Sequence, residues 1–258
     1  MGERTHRPMV ISFVGAGNVA THLAQALKAH GHQIAGVWSR TEASARALAQ
    51  RVQCPYTTEI LQLNTDVDVV FFCVKDCCLE DLARQVNTSA LCIHTAGSMP
   101  LEALPQKRRG VLYPMQTFSK QRAVDFTQIP IFLEAEDEEE RKMLWQLASN
   151  LSKNVTFLTS QQRAALHLAA VFACNFANRC FDIASELLEA QGLSFQSMLP
   201  LIDETVNKVH TLSPRQAQTG PAIRWDENVM QKHLDRLEGR NKEIYELMSQ
   251  SIHKRANE

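Results

Sequence analysis

The sequence has no apolar run of the roughly 18 residues that a bilayer-spanning helix requires, which excludes a membrane-embedded role for a helical span. It also lacks a surplus of either charge. Its 27 Lys and Arg against 28 Asp and Glu give a formal net charge of −1, so there is no electrostatic footprint for nucleic acid or an anionic membrane. No two cysteines have CxxC spacing. The seven (Cys54, Cys73, Cys77, Cys78, Cys92, Cys174 and Cys180) are odd in number and fall mostly in apolar patterns. They read as reduced, buried thiols, which argues against a disulfide or metal framework. The adjacent Cys77 and Cys78 read as structural. Residues 1–8, MGERTHRP, lack the charged-then-apolar layout of a signal peptide, and with the reduced thiols they point to a cytoplasmic protein. Internal repeats and low-complexity linkers are missing too. What remains is a 258-residue chain, long enough for one large domain or two modest ones.

The densest signal lies in residues 9–20, MVISFVGAGNVA. An apolar strand pattern stops at Gly15-Ala16-Gly17 and resumes as a helix pattern. Glycines here let a strand turn sharply into a helix while the backbone approaches a pyrophosphate, and the helix N-terminus offers free N–H groups and a positive dipole end. Gly15, Gly17, Asn18 and Val19 are therefore read as cofactor-binding, and Ala20 fills the third, small position. A second strand at 34–38 ends in Ser39-Arg40-Thr41, about twenty residues beyond the glycines, where an NAD site places Asp or Glu. Two hydroxyls and a guanidinium suit a 2′-phosphate instead, so the expected cofactor is NADP(H). The blander alternative makes Arg40 a solvated side chain opening the next helix.

Strand and helix patterns then alternate. Strands are expected at 55–57, 68–74, 91–95, 111–113, 131–134 and 155–158. The run at 68–74 is too uniformly apolar for a sheet with one wet face and reads as a buried parallel strand. A helix is expected at 42–51, another opens at Lys75-Asp76, and the acidic run at 136–140 reads as a solvated helix start favoured by the dipole. This is a Rossmann pattern, a doubly wound and mostly parallel sheet, whose strand carboxyl ends face a ligand crevice. Val74, Lys75, His94 and Thr95 are placed there.

From Thr159-Ser160 onward the chain reads all-helical, which gives domains 1–158 and 159–258. With Ser160 as N-cap, nothing interrupts a helix until Gly192, about 31 residues or some 47 Å at 1.5 Å each. At 100° per residue His167, Val171, Asn175, Asn178 and Asp182 share a narrow stripe on an otherwise apolar, buried helix. Unpaired buried polar groups cost about 1–3 kcal/mol each, so the stripe needs partners. It either lines the substrate side of a nicotinamide cleft or cross-links helices within the domain or a dimer. Further helices are expected at 194–210, 228–237 and 242–255. Two loops are cleft candidates. In residues 113–119, Pro114 fixes a turn and Gln116 either faces substrate or bonds its own backbone. In residues 219–226, Asp226 reads as an N-cap, and Arg224 either clamps a substrate carboxylate or pairs with Asp226 or Glu227. His233 reads as a helix-surface or interface residue.

GAGNVA, the HTAGS strand end, LYPMQTFS at 112–119, HLAAVFACNFAN at 167–178 and TGPAIRWD at 219–226 together resemble one bacterial family of Rossmann-like proteins with a helical C-terminal domain. It stands beside pyrroline-5-carboxylate reductases, deazaflavin-dependent NADP oxidoreductases and β-hydroxyacid dehydrogenases. The resemblance implies a helical domain like that of 6-phosphogluconate dehydrogenase, NADP binding, and homodimerisation through that domain. It supplies no substrate; the residues themselves are read as holding a small, carboxylated molecule between the HTAGS loop and the His167–Asn175 stripe for hydride transfer at a C=O or C=N carbon, with Asn175 acting beside His167 and Asn178 on the substrate side. β-Hydroxyacid dehydrogenases carry a catalytic lysine four residues before an asparagine on this helix; if Asn175 matches it, the lysine position is Val171. An imidazole titrates near neutrality, which makes His167 the nearest replacement acid, with His94 the alternative. A non-catalytic NADP(H)-binding protein is the rival reading.

Overall fold

The computed structural model describes residues 7–258, so most of the expected leaderless start lies outside the described residues. The chain forms two compact units that meet in sequence between Cys174 and Asn175, whereas the sequence pattern changes near residue 158. Among the described residues, no helix is long and apolar enough to cross a membrane.

Unit one is built on an eight-stranded sheet of order β3-β2-β1-β4-β5-β6-β7-β8. The strands are β1 (Val10–Val14), β2 (Gln33–Trp38), β3 (Tyr56–Thr57), β4 (Val69–Phe72), β5 (Leu91–His94), β6 (Arg109–Pro114), β7 (Ile131–Glu134) and β8 (Val155–Phe157). All neighbours pair in parallel except β6 and β7, which run antiparallel. Helices α1 (Asn18–Ala29), α2 (Glu42–Val52), α3 (Asp76–Gln85) and α4 (Glu138–Leu151) cover it. Strand alternation sends Ile11 and Phe13 into a core with Leu23 and Leu27 of α1 and Leu144 and Leu147 of α4. Val14, Val70 and Phe72 point into a second core with Leu79 and Ala83 of α3. Both faces are dry, which is why these strands read as unbroken apolar runs. Each fully buried Leu, Ile or Phe adds about 1.5–3 kcal/mol.

Several expectations need correction. The N-cap of α5 (Ser160–Ala170) is Thr159, whose hydroxyl and the Gln162 side chain form a capping box. Ser160 is freed to bond elsewhere. The long helix is not uniformly α: a π-helical segment, Val171–Phe176, separates α5 from α6 (Ala177–Glu189). A π turn contains more than 3.6 residues, so a stripe drawn at 100° per residue loses its phase there. The helix is not buried within one chain either, since Asn175, Asn178 and Asp182 are exposed and Leu168 is 59% exposed. The acidic start of α4 is only partly solvated: Glu140 is buried and accepts from Arg108 Nε at 2.8 Å. All seven cysteines are free, but only Cys92 is fully buried. Burial lifts the Cys92 thiol to about 12.

Unit two holds α6, α7 (Leu199–Lys208), the short α8 (Pro214–Ala217) and α9 (Pro221–Arg224), α10 (Glu227–Leu234) and α11 (Gly239–Ala256). Asp226 caps α10 as expected, accepting from Val229 N at 3.2 Å. Arg179 on α6 is held by Asp182 and Glu186 and donates to Asn241 on α11 at 3.1 Å. Asp182 thus bonds within its own helix, and the link from α6 to α11 is made by Arg179 and Glu186, which accepts from Asn241 Nδ2 at 3.0 Å.

Candidate cofactor and proton-transfer site

The glycine turn is shaped by close approach. Gly15 sits at φ +113°, and a Cβ there would lie 2.3 Å from the Cys73 carbonyl oxygen, a position only glycine fills without moving β4's extension. Gly17 has the opposite character: a Cβ would meet nothing within 4 Å, and Gly17 is the N-cap of α1 with no side-chain cap bond. Nothing crowds the Gly17 side of the turn, and among the described residues the first N–H groups of α1 have no partner, the cradle a pyrophosphate needs. Val19 follows in the first turn, and Val74 Cγ1 lies 3.1 Å from the Gly15 Cβ position. The Asn18 side chain is engaged elsewhere, donating to Phe118 O at 2.7 Å.

At the end of β2, Arg40 is exposed and forms no ion pair among the described residues, and Thr41 caps α2 without a side-chain bond. Ser39 hydrogen-bonds through its backbone to Thr57 O. Arg40 and Lys75 converge: the Cys78 thiol is raised chiefly by its hydrogen bond and proximity to Cys77, and the positive charges of Arg40 and Lys75 oppose that rise. The ends of β2 and β4 therefore bring two cations toward one thiol, and the Ser39 and Thr41 hydroxyls form no hydrogen bond among the described residues.

The carboxyl end of β5 is more tightly constrained than its sequence implies. His94 is fully buried; its Nδ1 accepts from Ala96 N at 3.2 Å, which leaves Nε2–H to donate to Pro100 O at 3.2 Å. Burial first, then the Arg163 charge, pushes its pKa down to about 3. Both ring nitrogens are committed, and the geometry makes this imidazole a neutral clasp for residues 95–100. Thr95 continues the edge, donating its N–H to Phe72 O, and its side chain meets the Cys73 thiol, which burial raises to about 12.

The same loop is gripped from below by Arg163 of α5. This guanidinium is 0% exposed; Nη1 donates to Ala96 O at 2.9 Å, Gly97 O at 3.2 Å and Met99 O at 2.6 Å, while Nη2 reaches Glu134 Oε2 at 2.6 Å. Ser160 Oγ completes the cluster, bonding Glu134 and accepting from Leu101 N. Above the loop, Tyr113 OH lies 3.2 Å from His167 Nδ1, with the rings edge-on at 71°. Gly97 lies beneath this pair: a Cβ would fall 2.6 Å from His167 Nδ1 and 3.0 Å from Tyr113 Cζ. Burial raises the Tyr113 hydroxyl, while the Arg163 charge opposes it. Chemically, the pair can hold a proton and pass it between a phenol and an imidazole at the sheet's carboxyl edge.

Other sequence candidates take different positions. Gln116 turns its Oε1 onto Thr117 N at 2.8 Å, as the backbone-bonding alternative anticipated. In unit two, Asn175 and Asn178 are exposed. Arg224 is exposed and enters no ion pair among the described residues; Asp226 caps its helix and Glu227 accepts from Trp225 Nε1. Its neighbour Trp225 sits at φ +53°, a conformation costing a non-glycine residue about 1–3 kcal/mol. Arg163 and Glu134 were missed, and Tyr113 entered only as the first residue of the 113–119 loop, without a role of its own. A cation four residues into a helix opposes the dipole, and that was the available sign that Arg163 is paired.

A family model described as NADP oxidoreductase, coenzyme F420-dependent, matches residues 10–93, and a domain of unknown function (DUF2520) matches residues 129–252. A candidate NADP oxidoreductase from Bacteroides fragilis is similar at 48% identity, TM-score 0.90, with 96% of this chain and 98% of that one covered. A protein from Thermotoga maritima is 23% identical over 96% and 100% of the two chains, TM-score 0.78. An imine reductase from Myxococcus stipitatus in complex with NADP+ shares the fold at 17% identity, TM-score 0.65, over 96% and 94%. The comparison with curated proteins gave no match. The chain belongs to the family of Rossmann-like NADP oxidoreductases whose C-terminal half carries the DUF2520 domain.

Proposed function

We propose that the protein is an NADP(H)-dependent oxidoreductase that moves hydride to or from a C=O or C=N carbon of a small, carboxylated substrate. The observation that carries this reading is the Tyr113–His167 pair above Gly97, at the same carboxyl edge as the open glycine turn. Gly15, Gly17 and Val19 would hold the pyrophosphate; Ser39, Arg40, Thr41 and Lys75 would hold the 2′-phosphate; Val74 and Thr95 would border the nicotinamide. Bound there, the cofactor supplies or accepts the hydride. His167 holds the proton that the reacting oxygen or nitrogen needs, with Tyr113 fixing its ring through Nδ1. The fully committed His94 serves the loop. Within unit two, Arg224 is exposed, enters no ion pair among the described residues, and carries the guanidinium fork that suits a carboxylate.

The exposed apolar surface of unit two, Leu201 and Leu247 among it, favours a homodimer through the helical domain, which a monomeric mass by light scattering would refute. Seven free thiols suit a cytoplasmic setting. The test of the reaction is NADPH consumption over a panel of small carboxylated imines and ketones. His167→Ala should lower turnover by about 10²–10⁴-fold while NADPH affinity stays unchanged. Tight NADPH binding with no turnover of any member would favour the non-catalytic alternative, which Val171 supports if Asn175 matches the asparagine of β-hydroxyacid dehydrogenases, since their lysine then has no counterpart here.

A further inference from the structure

A cavity of about 430 Å³ opens between α1 from His22 onward, the end of α2 and the segment 120–126, and no residue of the glycine turn lines it. Its size lies within the roughly 300–1,000 Å³ of small-molecule sites. Its chemistry is one-signed. Arg51 from α2 and Lys120 from the loop after β6 line it, no carboxylate does, and neither cation forms an ion pair among the described residues. His22 contributes a buried imidazole whose Nε2 bonds Ser119 O at 2.9 Å. Val124 and Phe126 add apolar lining. Arg51 is exposed and Lys120 half-buried, and an anion between them is attracted by both charges.

We infer that this cavity is a second binding site, distinct from the cofactor turn, for a small organic anion: a carboxylate or phosphate head held by Arg51 and Lys120, with a flat apolar body against Val124 and Phe126. The site is wired to the cofactor helix. His22 stacks on Phe118 at 5.4 Å, and Asn18, next to Gly17, holds the Phe118 carbonyl. An occupant bridging Lys120 to Arg51 fixes the loop that Asn18 and His22 grip, so it is felt at the mouth of the cofactor turn.

The test uses the full chain saturated with NADPH, so that the cofactor turn is blocked to the probes. Phenyl phosphate, benzoate and the neutral benzyl alcohol are titrated by calorimetry into the native protein and into the Arg51→Ala/Lys120→Ala double variant. Saturable binding is expected for one or both anions and not for the alcohol, weakened at least about tenfold in the double variant, whose melting temperature and NADPH affinity stay unchanged. Preference between the two anions identifies the head group. NADPH dissociation, followed by its fluorescence, should be slower with the anion bound. Absence of saturable anion binding, equal binding of the alcohol, or undiminished binding by the double variant overturns the site; an unchanged dissociation rate overturns the coupling.

Discussion

Replacing Arg163 with Met is the most revealing single perturbation of unit one. The guanidinium has no exposed surface and satisfies three loop carbonyls, those of Ala96, Gly97 and Met99, besides Glu134. Removing it leaves Glu134, whose side chain is only 16% exposed, with Ser160 as its remaining donor. Breaking a buried pair from one side costs about 3–5 kcal/mol, because the remaining charge stays desolvated. Glu134→Met should cost a similar amount for the opposite charge. The double variant should lose less than the sum of the singles, by about 1–3 kcal/mol, since the second substitution removes the charge that the first left unpaired. Urea denaturation of the four proteins at one pH measures all three quantities. A loss below about 1 kcal/mol for Arg163→Met, or additivity within about 0.5 kcal/mol, would refute the view that this pair holds the 95–99 loop.

Gly97→Ala should destabilise by about 1–3 kcal/mol, because its Cβ would press on His167 Nδ1 and neither Tyr113 nor Arg163 leaves the loop room to retreat. Unchanged stability together with an unchanged His167 ring signal in NMR would contradict this. His94 gives a pH signature. Its folded pKa lies near 3, below that of a free histidine, so the unfolded chain binds the extra proton, and stability present at neutral pH is lost as pH falls below about 6.5. Between pH 7.5 and 5 this group alone removes about 2 kcal/mol, so His94→Gln should show a shallower acid slope by that amount in denaturant titrations, and parallel slopes would sink the assignment.

The α/β half was legible because its signals are local. The glycine turn, the apolar runs of β1 and β4, and Ser39-Arg40-Thr41 each carry their meaning within a few residues. The antiparallel entry of β7 and the brevity of β4 depend on pairing across the sheet and left no mark in the pattern. The polar stripe failed for a different reason: the π-helical segment at Val171–Phe176 breaks the period on which it was drawn. Of that stripe, His167 meets Tyr113, which lies 54 residues earlier and was hidden in a strand. Arg163 and Glu134 read as ordinary helix-start and strand-end charges; only the fold brings them under one loop. His94 was legible as a residue at the right edge, yet not as one whose two nitrogens are already spent on Ala96 and Pro100.

The central claim is that this fold holds NADP(H) through the basic end of β2. Calorimetric titration of NADPH and NADH into the native protein and Arg40→Ala tests it most directly. NADPH should bind more tightly than NADH, and Arg40→Ala should cost NADPH about 1–3 kcal/mol while hardly touching NADH. Equal affinities of the native protein for the two cofactors would contradict it.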